Sequence, residues 1–482
     1  MKSRLRSTLA RVQASTAARK RTLVGLVAVP LAAAFVTGTI LGVGAERGGW
    51  GIIAILASIP IAMAGGAIVG RALFGAAQSV RRTHDARWMA EQLRPLELMV
   101  TEQAPRRVNI IHLRLDLKHF FGGFIAIFNL ARRLGERGHR VRLIVLEDSE
   151  IPADWRVQLG RYEGLGELAS ELEVVFAADR AQAIEASPHD ALIATSWAAA
   201  HVSAAALANL RTERFLYLIQ EYEPFFSPMG SAAALARHSY ELPHAALFST
   251  DLLREWFAAN RVGVFAPGRD AGERDSVSFD NAITPVGPVS VEDLRRSGPR
   301  RLLFYARPEE HASRNMFELG VMALDAAVAS GRFSGWELDG VGTVELGGGW
   351  LPLTSSGGKI RLIPRGSQAD YGRLLRSYDV GLALMYTPHP GLVAIEMAAA
   401  GMATVTNTFE NRDAAALRGI SSNLIAADSS VEGVIEALGA AEASAGELEP
   451  RASGSHVAWP ISWDEALGDE ILARVEQLLA ID

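Results

Sequence analysis

Residues 108–146 decide the fold: VNIIHLRLDLKHFFGGFIAIFNLARRLGERGHRVRLIVL. Val108–Leu113 and Val141–Leu146 are short, mostly apolar runs that predict buried strands. Between them a glycine pair is followed by Phe124–Arg137, which predicts a helix that ends at Gly138. Because parallel neighbours need a crossover helix, this order predicts the start of a parallel, doubly wound α/β sheet.

The same alternation continues along the chain and then starts again. A Pro- and Gly-rich loop between Pro285 and Pro299 precedes a new apolar strand, Arg301–Tyr305, and we place a domain boundary in that loop. The further predicted strands are 191–195, 215–219, 245–249, 336–340, 360–364, 380–384 and 403–406. The sequence therefore predicts two Rossmann-like domains, 105–290 and 291–482, which face a cleft where ligands of such sheets bind.

The bulk composition limits the class of protein. The net charge of -6 is uneven, because residues 1–104 carry 13 Lys and Arg against 5 Asp and Glu, which leaves -14 for the rest. An acidic body argues against nucleic acid as a partner. The absence of cysteine excludes disulfides, thiolate nucleophiles and cysteine metal sites.

The N-terminal residues predict a membrane anchor. The apolar runs 22–45 and 51–70 each have about the 20 residues that a membrane-spanning helix needs, and basic residues flank both, which places the flanks in the cytoplasm. We predict a basic tail at 1–21, a transmembrane hairpin at 22–71 and a juxtamembrane linker helix at 72–104. The predicted localisation is a multi-pass protein of the bacterial inner membrane with its catalytic body in the cytoplasm; a cleaved signal peptide before a buried helix is the alternative.

A Pro-Gly turn at His389-Pro390-Gly391 opens a predicted helix that carries Glu396. The start of a helix offers unpaired N–H groups and a positive dipole end to a diphosphate. Glu396, one turn further along, could accept hydrogen bonds from sugar hydroxyls. The alternative is a carboxylate that only complements the helix dipole.

Three arginines are candidates for binding a nucleoside diphosphate. Arg307 and Arg314 follow the first strand of the second half, and Arg365 follows the strand at 360–364. A departing diphosphate needs cationic stabilisation as the glycosidic bond breaks. Surface arginines in polar loops are the alternative.

Two motifs of the first half are further candidates. Gly122 and Gly123 allow the backbone to approach a ligand closely. The stretch 220–226, Gln-Glu-Tyr-Glu-Pro-Phe-Phe, follows an apolar strand, and we favour Glu223 as an acceptor contact or catalytic polar group. A solvated carboxylate in a turn is the alternative for Glu223.

Several catalytic motifs are missing from the chain. It has no Asp-x-Asp, no His-Glu-x-x-His, no Walker lysine and no Gly-x-Ser-x-Gly. We therefore predict neither a metal site nor acyl transfer.

Taken in order, these motifs resemble family-4 glycosyltransferases of the GT-B fold, and more closely the WsaF-like rhamnosyltransferases that build bacterial surface glycans. The resemblance spans roughly residues 105 to 480 and rests on Phe120-Phe121-Gly122-Gly123, on residues 220–226, on 304–308 with Arg314-Asn315, and on 388–398. It implies that Arg307 and Arg314 hold the donor diphosphate, that Glu396 binds the nucleoside sugar ring, and that the glycine pair shapes the cleft. It also implies a retaining reaction without a required metal.

This chain departs from the family pattern at two points. The broader family has a Glu eight positions before Glu396, where this chain has Pro388, and its basic pair usually stands closer together than Arg307 and Arg314. The resemblance then implies a deoxy-sugar donor such as dTDP-L-rhamnose, with the hexose held by His389 and backbone N–H groups around Gly391.

The predicted function is that of a membrane-anchored hexosyltransferase, which moves a sugar, with L-rhamnose as the candidate, from a nucleotide-sugar to a lipid-linked surface-glycan acceptor. Its predicted partners are the nucleotide-sugar, the acceptor and the membrane, without a cofactor. Two alternatives stay open: a catalytically inert GT-B membrane adaptor, and a nucleotide-sugar epimerase. The sequence does not reveal the oligomeric state.

Overall fold

The computed structural model describes residues 86–116, 122–149, 151–227, 229–343, 348–364, 366 and 368–481. The predicted basic tail and the hairpin at 22–71 lie outside these residues. Within them, no helix has the length and apolar character needed to cross a membrane. For the described part of the chain, the predicted localisation as a multi-pass inner-membrane protein is therefore wrong.

Residues 92–482 form one compact unit, and its first half contains a parallel sheet. The strands are β1 (Leu98–Val100), β2 (Val108–His112), β3 (Val141–Val145), β4 (Glu173–Phe176), β5 (Ile184–Ala186), β6 (Ala191–Ala194), β7 (Phe215–Ile219), β8 (His244–Ser249) and β9 (Ser276–Phe279). Among the described residues the order is β4-β3-β2-β6-β7-β8-β9, and all neighbours are parallel. Strands β1 and β5 pair separately.

Helices connect these strands as a parallel sheet requires. They are α1 (Gly122–Glu136), α2 (Trp155–Leu159), α3 (Gly166–Glu171), α4 (Trp197–Leu207), α5 (Ser231–Ser239), α6 (Asp251–Asn260) and α7 (Arg269–Arg274), with 3-10 turns at Glu223–Phe226 and Gly263–Phe265. Helix α1 begins two residues before the predicted Phe124 and ends at Glu136, one residue before the predicted Arg137. Gly138 follows with φ +92, a conformation that side chains disfavour.

The second half repeats the plan. Its strands are β10 (Arg301–Tyr305), β11 (Glu337–Val341), β12 (Gly349–Pro352), β13 (Lys359–Leu362), β14 (Val380–Leu382), β15 (Ala403–Asn407) and β16 (Leu424–Ala427). Their order in the described chain is β12-β13-β11-β10-β14-β15-β16, parallel except for the edge pair β12 and β13. The predicted pair of Rossmann-like sheets is confirmed.

Helices also accompany the second sheet. They are α8 (Val291–Leu294), α9 (Phe317–Ala329), α10 (Gln368–Leu375), α11 (Leu392–Ala399), α12 (Ala414–Ile420), α13 (Val431–Ser444), α14 (Leu448–Gly454), α15 (Trp463–Ala466) and α16 (Asp469–Leu479), with a 3-10 turn at Glu310–Asn315. Buried apolar clusters lie on both faces of each sheet. Burial on both faces explains why the central strands are continuous apolar runs in the sequence.

The chain crosses between the halves twice, and the last helix returns to the first half. The crossing segments lie side by side, since the N–H of Ile283 donates to the carbonyl of Pro460 at 3.1 Å and the indole of Trp459 donates to the carbonyl of Asn281 at 2.7 Å. Helix α16 then packs its apolar face into the core of the first sheet. The predicted boundary assigns all of 291–482 to the second half. In the structure, α16 instead packs with the first half.

Candidate functional site

A cleft of about 1430 Å³ lies between the two sheets. Most of the predicted site residues line it: Gly122, Gly123, Arg307, Arg314, His389, Gly391 and Glu396. Pro390 is buried beside them. Glu223 is not among the lining residues, and Arg365 lies outside the part of the chain that the structure describes.

Glu396 sits one turn into α11 and is 7% exposed. Its Oε1 accepts a hydrogen bond from the N–H of Thr284 at 2.9 Å, and its Oε2 accepts one from the hydroxyl of Tyr371 at 3.1 Å. Burial raises the pKa of Glu396, and these two bonds limit the rise. The two bonds fix the side chain in place. Because a carboxylate has about four acceptor positions, it can still accept hydrogen bonds from ligand hydroxyls.

Arg307 follows β10 and is 6% exposed. Its Nε donates to Glu309 at 2.9 Å, its Nη1 donates to the hydroxyl of Tyr305 at 3.3 Å, and its Nη2 lies 3.2 Å from Nε2 of His311. Burial alone would lower the pKa of Arg307, but Tyr305 and Glu309 raise it on balance. The guanidinium therefore stays charged at the wall of the cleft, with its charge partly balanced by Glu309.

Arg314 connects the two halves across the cleft. Its Nη1 donates to the carbonyl of His311 at 3.0 Å. Its Nε lies 3.3 Å from Oε1 of Glu221 without forming a hydrogen bond, and its guanidinium carbon lies 4.8 Å from the centre of the Phe226 ring. Glu221 and Phe226 both follow β7 in the first half, so one cation of the second half contacts two residues of the first.

Glu221 is a cleft residue that the sequence did not single out. It lines the cleft, whereas Glu223, two positions along, does not. Burial raises the pKa of Glu221, and the charge of Arg314 opposes the rise. The motif at 220–226 is thus part of the site, but through a different carboxylate from the one predicted.

Glu223 is held within the first half. It accepts a hydrogen bond from the hydroxyl of Tyr217 at 2.8 Å, and its N–H donates to the hydroxyl of Tyr240 at 3.1 Å. Burial raises the pKa of Glu223 to about 7. The predicted catalytic role is untested, and the position of the side chain favours a structural one.

A tight turn presents the start of α11 to the cleft. Gly391 has φ +79, and its N–H donates to Nδ1 of His389 at 3.1 Å. The fully buried Arg412 donates to the carbonyls of His389 at 2.8 Å, of Asn407 at 2.9 Å and of Met385. Arg412 therefore holds the turn through hydrogen bonds to backbone carbonyls. The sequence gives no signal for this role, because Arg412 lies far from the turn along the chain.

His389 is electrically neutral in this setting. It is 7% exposed, and burial, together with the charges of Arg314 and Arg412, lowers its pKa to about 3. A neutral imidazole that lines the cleft can exchange hydrogen bonds with uncharged groups. This position is compatible with the predicted contact to a donor sugar, which stays a prediction.

The glycine pair of the first half lies close to the start of α11. A Cβ at Gly122 would lie 3.2 Å from Cδ1 of Leu392, and a Cβ at Gly123 would lie 3.2 Å from Oε1 of Gln220. The amide of Gln220 donates to the carbonyl of Gly123 at 3.2 Å. A larger residue at Gly122 would therefore crowd Leu392 of the second half, and a larger residue at Gly123 would crowd Gln220 of its own half.

The described residues contain no group of three His, Asp or Glu side chains arranged to hold a metal ion. A reaction that requires no metal stays a prediction.

Comparison with known proteins identifies both halves. The family model described as the N-terminal domain of WsaF matches residues 107–251, and the model described as the C-terminal domain of WsaF matches residues 300–439. The O-antigen biosynthesis protein RfbC of Myxococcus xanthus is 31% identical over 228 residues. That match covers 45% of this chain and only 15% of RfbC.

Solved structures match this chain at low identity. The N-terminal domain of Candida albicans trehalose-6-phosphate phosphatase matches with a TM-score of 0.50 and 10% identity, over 77% of this chain and 100% of that chain. Anabaena HepE in complex with UDP-glucose matches with a TM-score of 0.49 and 12% identity, over 77% of this chain and 98% of that chain. At such identities the likeness concerns the fold alone.

Proposed function

The chain belongs to the WsaF family of glycosyltransferases with the GT-B fold, and from this premise we propose that it transfers a sugar from a nucleotide-sugar donor to a glycan acceptor of a bacterial surface polysaccharide. One observation carries the proposal. Two arginines, a buried carboxylate and the start of a helix line a single cleft between the two sheets.

Each group has a role that its chemistry supports. As the bond between the sugar C1 and the diphosphate oxygen breaks, negative charge develops on the leaving nucleoside diphosphate. The guanidinium groups of Arg307 and Arg314 and the N–H groups at the start of α11 oppose that charge. Glu396 accepts a hydrogen bond from a hydroxyl of the nucleoside sugar ring.

The acceptor hydroxyl forms the new bond to C1, and its proton leaves with the departing diphosphate. We propose retention of configuration and dTDP-L-rhamnose as the donor, on the basis of the family resemblance and of Pro388. The surface-polysaccharide context is supported by the likeness to RfbC, which is an O-antigen biosynthesis protein. The lipid-linked form of the acceptor depends on the predicted anchor, and we propose a glycan acceptor without it.

The test begins with a panel of nucleotide-sugars and the full chain. A bound donor raises the melting temperature, because a ligand that binds only the folded state stabilises it. The donor with the largest shift is then offered in a transfer and hydrolysis assay. We expect Arg314→Ala and Glu396→Ala to reduce turnover strongly while both variants remain folded.

Arg418→Ala is the matched control, since Arg418 lies on α12 and is not among the residues that line the cleft. Full turnover in both cleft variants would show that the site is elsewhere. No affinity for any nucleotide-sugar would instead favour the inert adaptor.

A further inference from the structure

A short segment of the second half, residues 409–412, contacts helix α6 of the first half. The indole N–H of Trp256 on α6 donates to Oε2 of Glu410 at 2.6 Å. The side-chain amide of Asn411 donates to the carbonyl of Leu252, also on α6, at 2.8 Å. Trp256 is buried at 5% exposure and Glu410 is exposed. A buried N–H needs a partner, and here a carboxylate of the other half supplies it.

The segment 409–412 is a tight turn with an unfavourable backbone conformation. Phe409 and Arg412 exchange two backbone hydrogen bonds, at 3.1 and 2.8 Å. Between them Glu410 has φ +44, in the left-handed region that residues with a side chain rarely adopt. Such a conformation persists only where surrounding contacts hold it. The hydrogen bond from Trp256 is one of these contacts, so the first half helps to fix the turn.

The same turn supports the donor side of the cleft. Its last residue, Arg412, is fully buried and donates to the carbonyl of His389 at 2.8 Å and to two further backbone carbonyls. Residues 389–391, here called the donor turn, present the start of α11 to the cleft. A chain of contacts therefore runs from α6 of the first half, through residues 409–412, to the donor turn.

We propose that Trp256 and Glu410 are positioning residues for the nucleotide-sugar. Neither is among the residues that line the cleft. Their hydrogen bond holds the turn at 409–412, and through Arg412 it keeps the donor turn in the conformation that receives the diphosphate. The inference rests on the proposed function, because it needs a nucleotide-sugar at the donor turn. It assigns part of the donor affinity to side chains outside the cleft.

Three substitutions in the full chain separate positioning from stability. Glu410→Gly removes the carboxylate and also the backbone strain, since glycine adopts φ +44 readily. Trp256→Phe removes the indole N–H and keeps an aromatic ring beside Phe225, whose ring centre lies 5.7 Å from that of Trp256. Glu410→Gln keeps an acceptor oxygen for the indole and is the conservative variant. Glu410→Gly carries the test if Trp256→Phe does not fold.

Initial rates with dTDP-L-rhamnose give the KM for the donor and kcat. We expect Glu410→Gly and Trp256→Phe to raise this KM about fivefold, the lower end of typical couplings between sites, with kcat nearly unchanged. Glu410→Gln should have the wild-type KM. The melting temperature of Glu410→Gly should not fall, because the loss of backbone strain offsets the lost hydrogen bond. A purely structural role would instead lower the melting temperature and leave the KM unchanged.

A second measurement does not depend on the donor. Hydrogen exchange of the amides at 385–392 in the ligand-free chain, followed by mass spectrometry, reports local opening of the donor turn. Exchange there should be faster in Glu410→Gly and in Trp256→Phe than in the wild type, and unchanged in Glu410→Gln. Trp336→Phe is the matched control, because Trp336 packs against Phe333 in the second half. It should change neither the exchange nor the KM.

The outcomes separate this inference from the proposed function. If either the KM or the exchange at 385–392 kept its wild-type value in both Glu410→Gly and Trp256→Phe, the inference would be overturned. Equal effects of Glu410→Gln and Glu410→Gly would overturn it as well. Faster exchange at 385–392 in a chain whose wild type turns over no nucleotide-sugar would uphold the chain of contacts and overturn the proposed function instead.

Discussion

Replacement of Glu396 by Gln should separate donor binding from folding. The carboxylate accepts hydrogen bonds from the N–H of Thr284 and from the hydroxyl of Tyr371. An amide keeps one oxygen for Thr284 and offers its NH₂ to the Tyr371 oxygen, and the volume hardly changes. We therefore expect the stability of Glu396→Gln to stay within about 1 kcal/mol of wild type.

Glu396→Ala, in contrast to Glu396→Gln, should lose stability. It leaves the donors of Thr284 and Tyr371 without an acceptor, at about 1 to 3 kcal/mol for each fully buried group. Since Thr284 and Tyr371 are both partly exposed, we expect the lower end, about 2 kcal/mol in all. The melting temperature of the Ala variant should therefore fall while that of the Gln variant does not.

Both variants should lose activity, because neither presents a charged acceptor to the donor. Replacement of charged hydrogen bonds by neutral ones costs about 2 kcal/mol, or about thirtyfold in kcat/KM for the donor. Initial rates over a range of donor concentrations measure this. If Glu396→Gln kept the wild-type kcat/KM, Glu396 would have no part in donor binding and the reasoning would fail.

Three further substitutions test the site and its supports. Burial raises the pKa of Glu223 from 4.5 to about 7, so the folded state holds the proton more tightly than the unfolded state. The wild type therefore loses stability as the pH rises between these two values. The loss is about 2 kcal/mol after allowance for partial exposure. The melting temperature of Glu223→Gln should thus be higher than that of the wild type at pH 8 and equal to it below pH 4.5. Equal melting temperatures of variant and wild type at both pH values would refute burial of the carboxyl. Gly391→Ala forces a side chain into the left-handed region, and calorimetric melting should show a loss of about 1 to 2 kcal/mol, whereas Gly419→Ala, in an open helical position, should show none. Arg412→Met removes the donors to three carbonyls and should cost about 3 kcal/mol and weaken donor affinity; unchanged melting would show that the turn stands without it.

The sequence predicted the buried part of the fold well. Strands β7 and β10 have the predicted bounds, and β2 and β3 differ by one residue at one end. These strands are buried on both faces, so their apolar runs are unambiguous. Edge strands such as β4 and β12 were not predicted, because exposed positions give them no continuous apolar run.

The site was predictable only where a motif and a strand end coincide. Arg307, Gly391 and Glu396 line the cleft because each follows a strand of the second sheet at its carboxyl end. The choice of Glu223 over Glu221 could not be decided from the sequence, since the difference depends on which side chain the first half buries against Tyr217. The link of Arg412 to the turn at His389 is likewise a tertiary contact without a local pattern.

A structure of the chain with a bound nucleoside diphosphate tests the central claim most directly. The account predicts that the diphosphate lies between the glycine pair at 122–123 and the start of α11, within hydrogen-bond distance of Arg314, with a hydroxyl of the nucleoside sugar on Glu396. A nucleotide bound outside this cleft, or one whose nucleoside sugar faces away from Glu396, would contradict it.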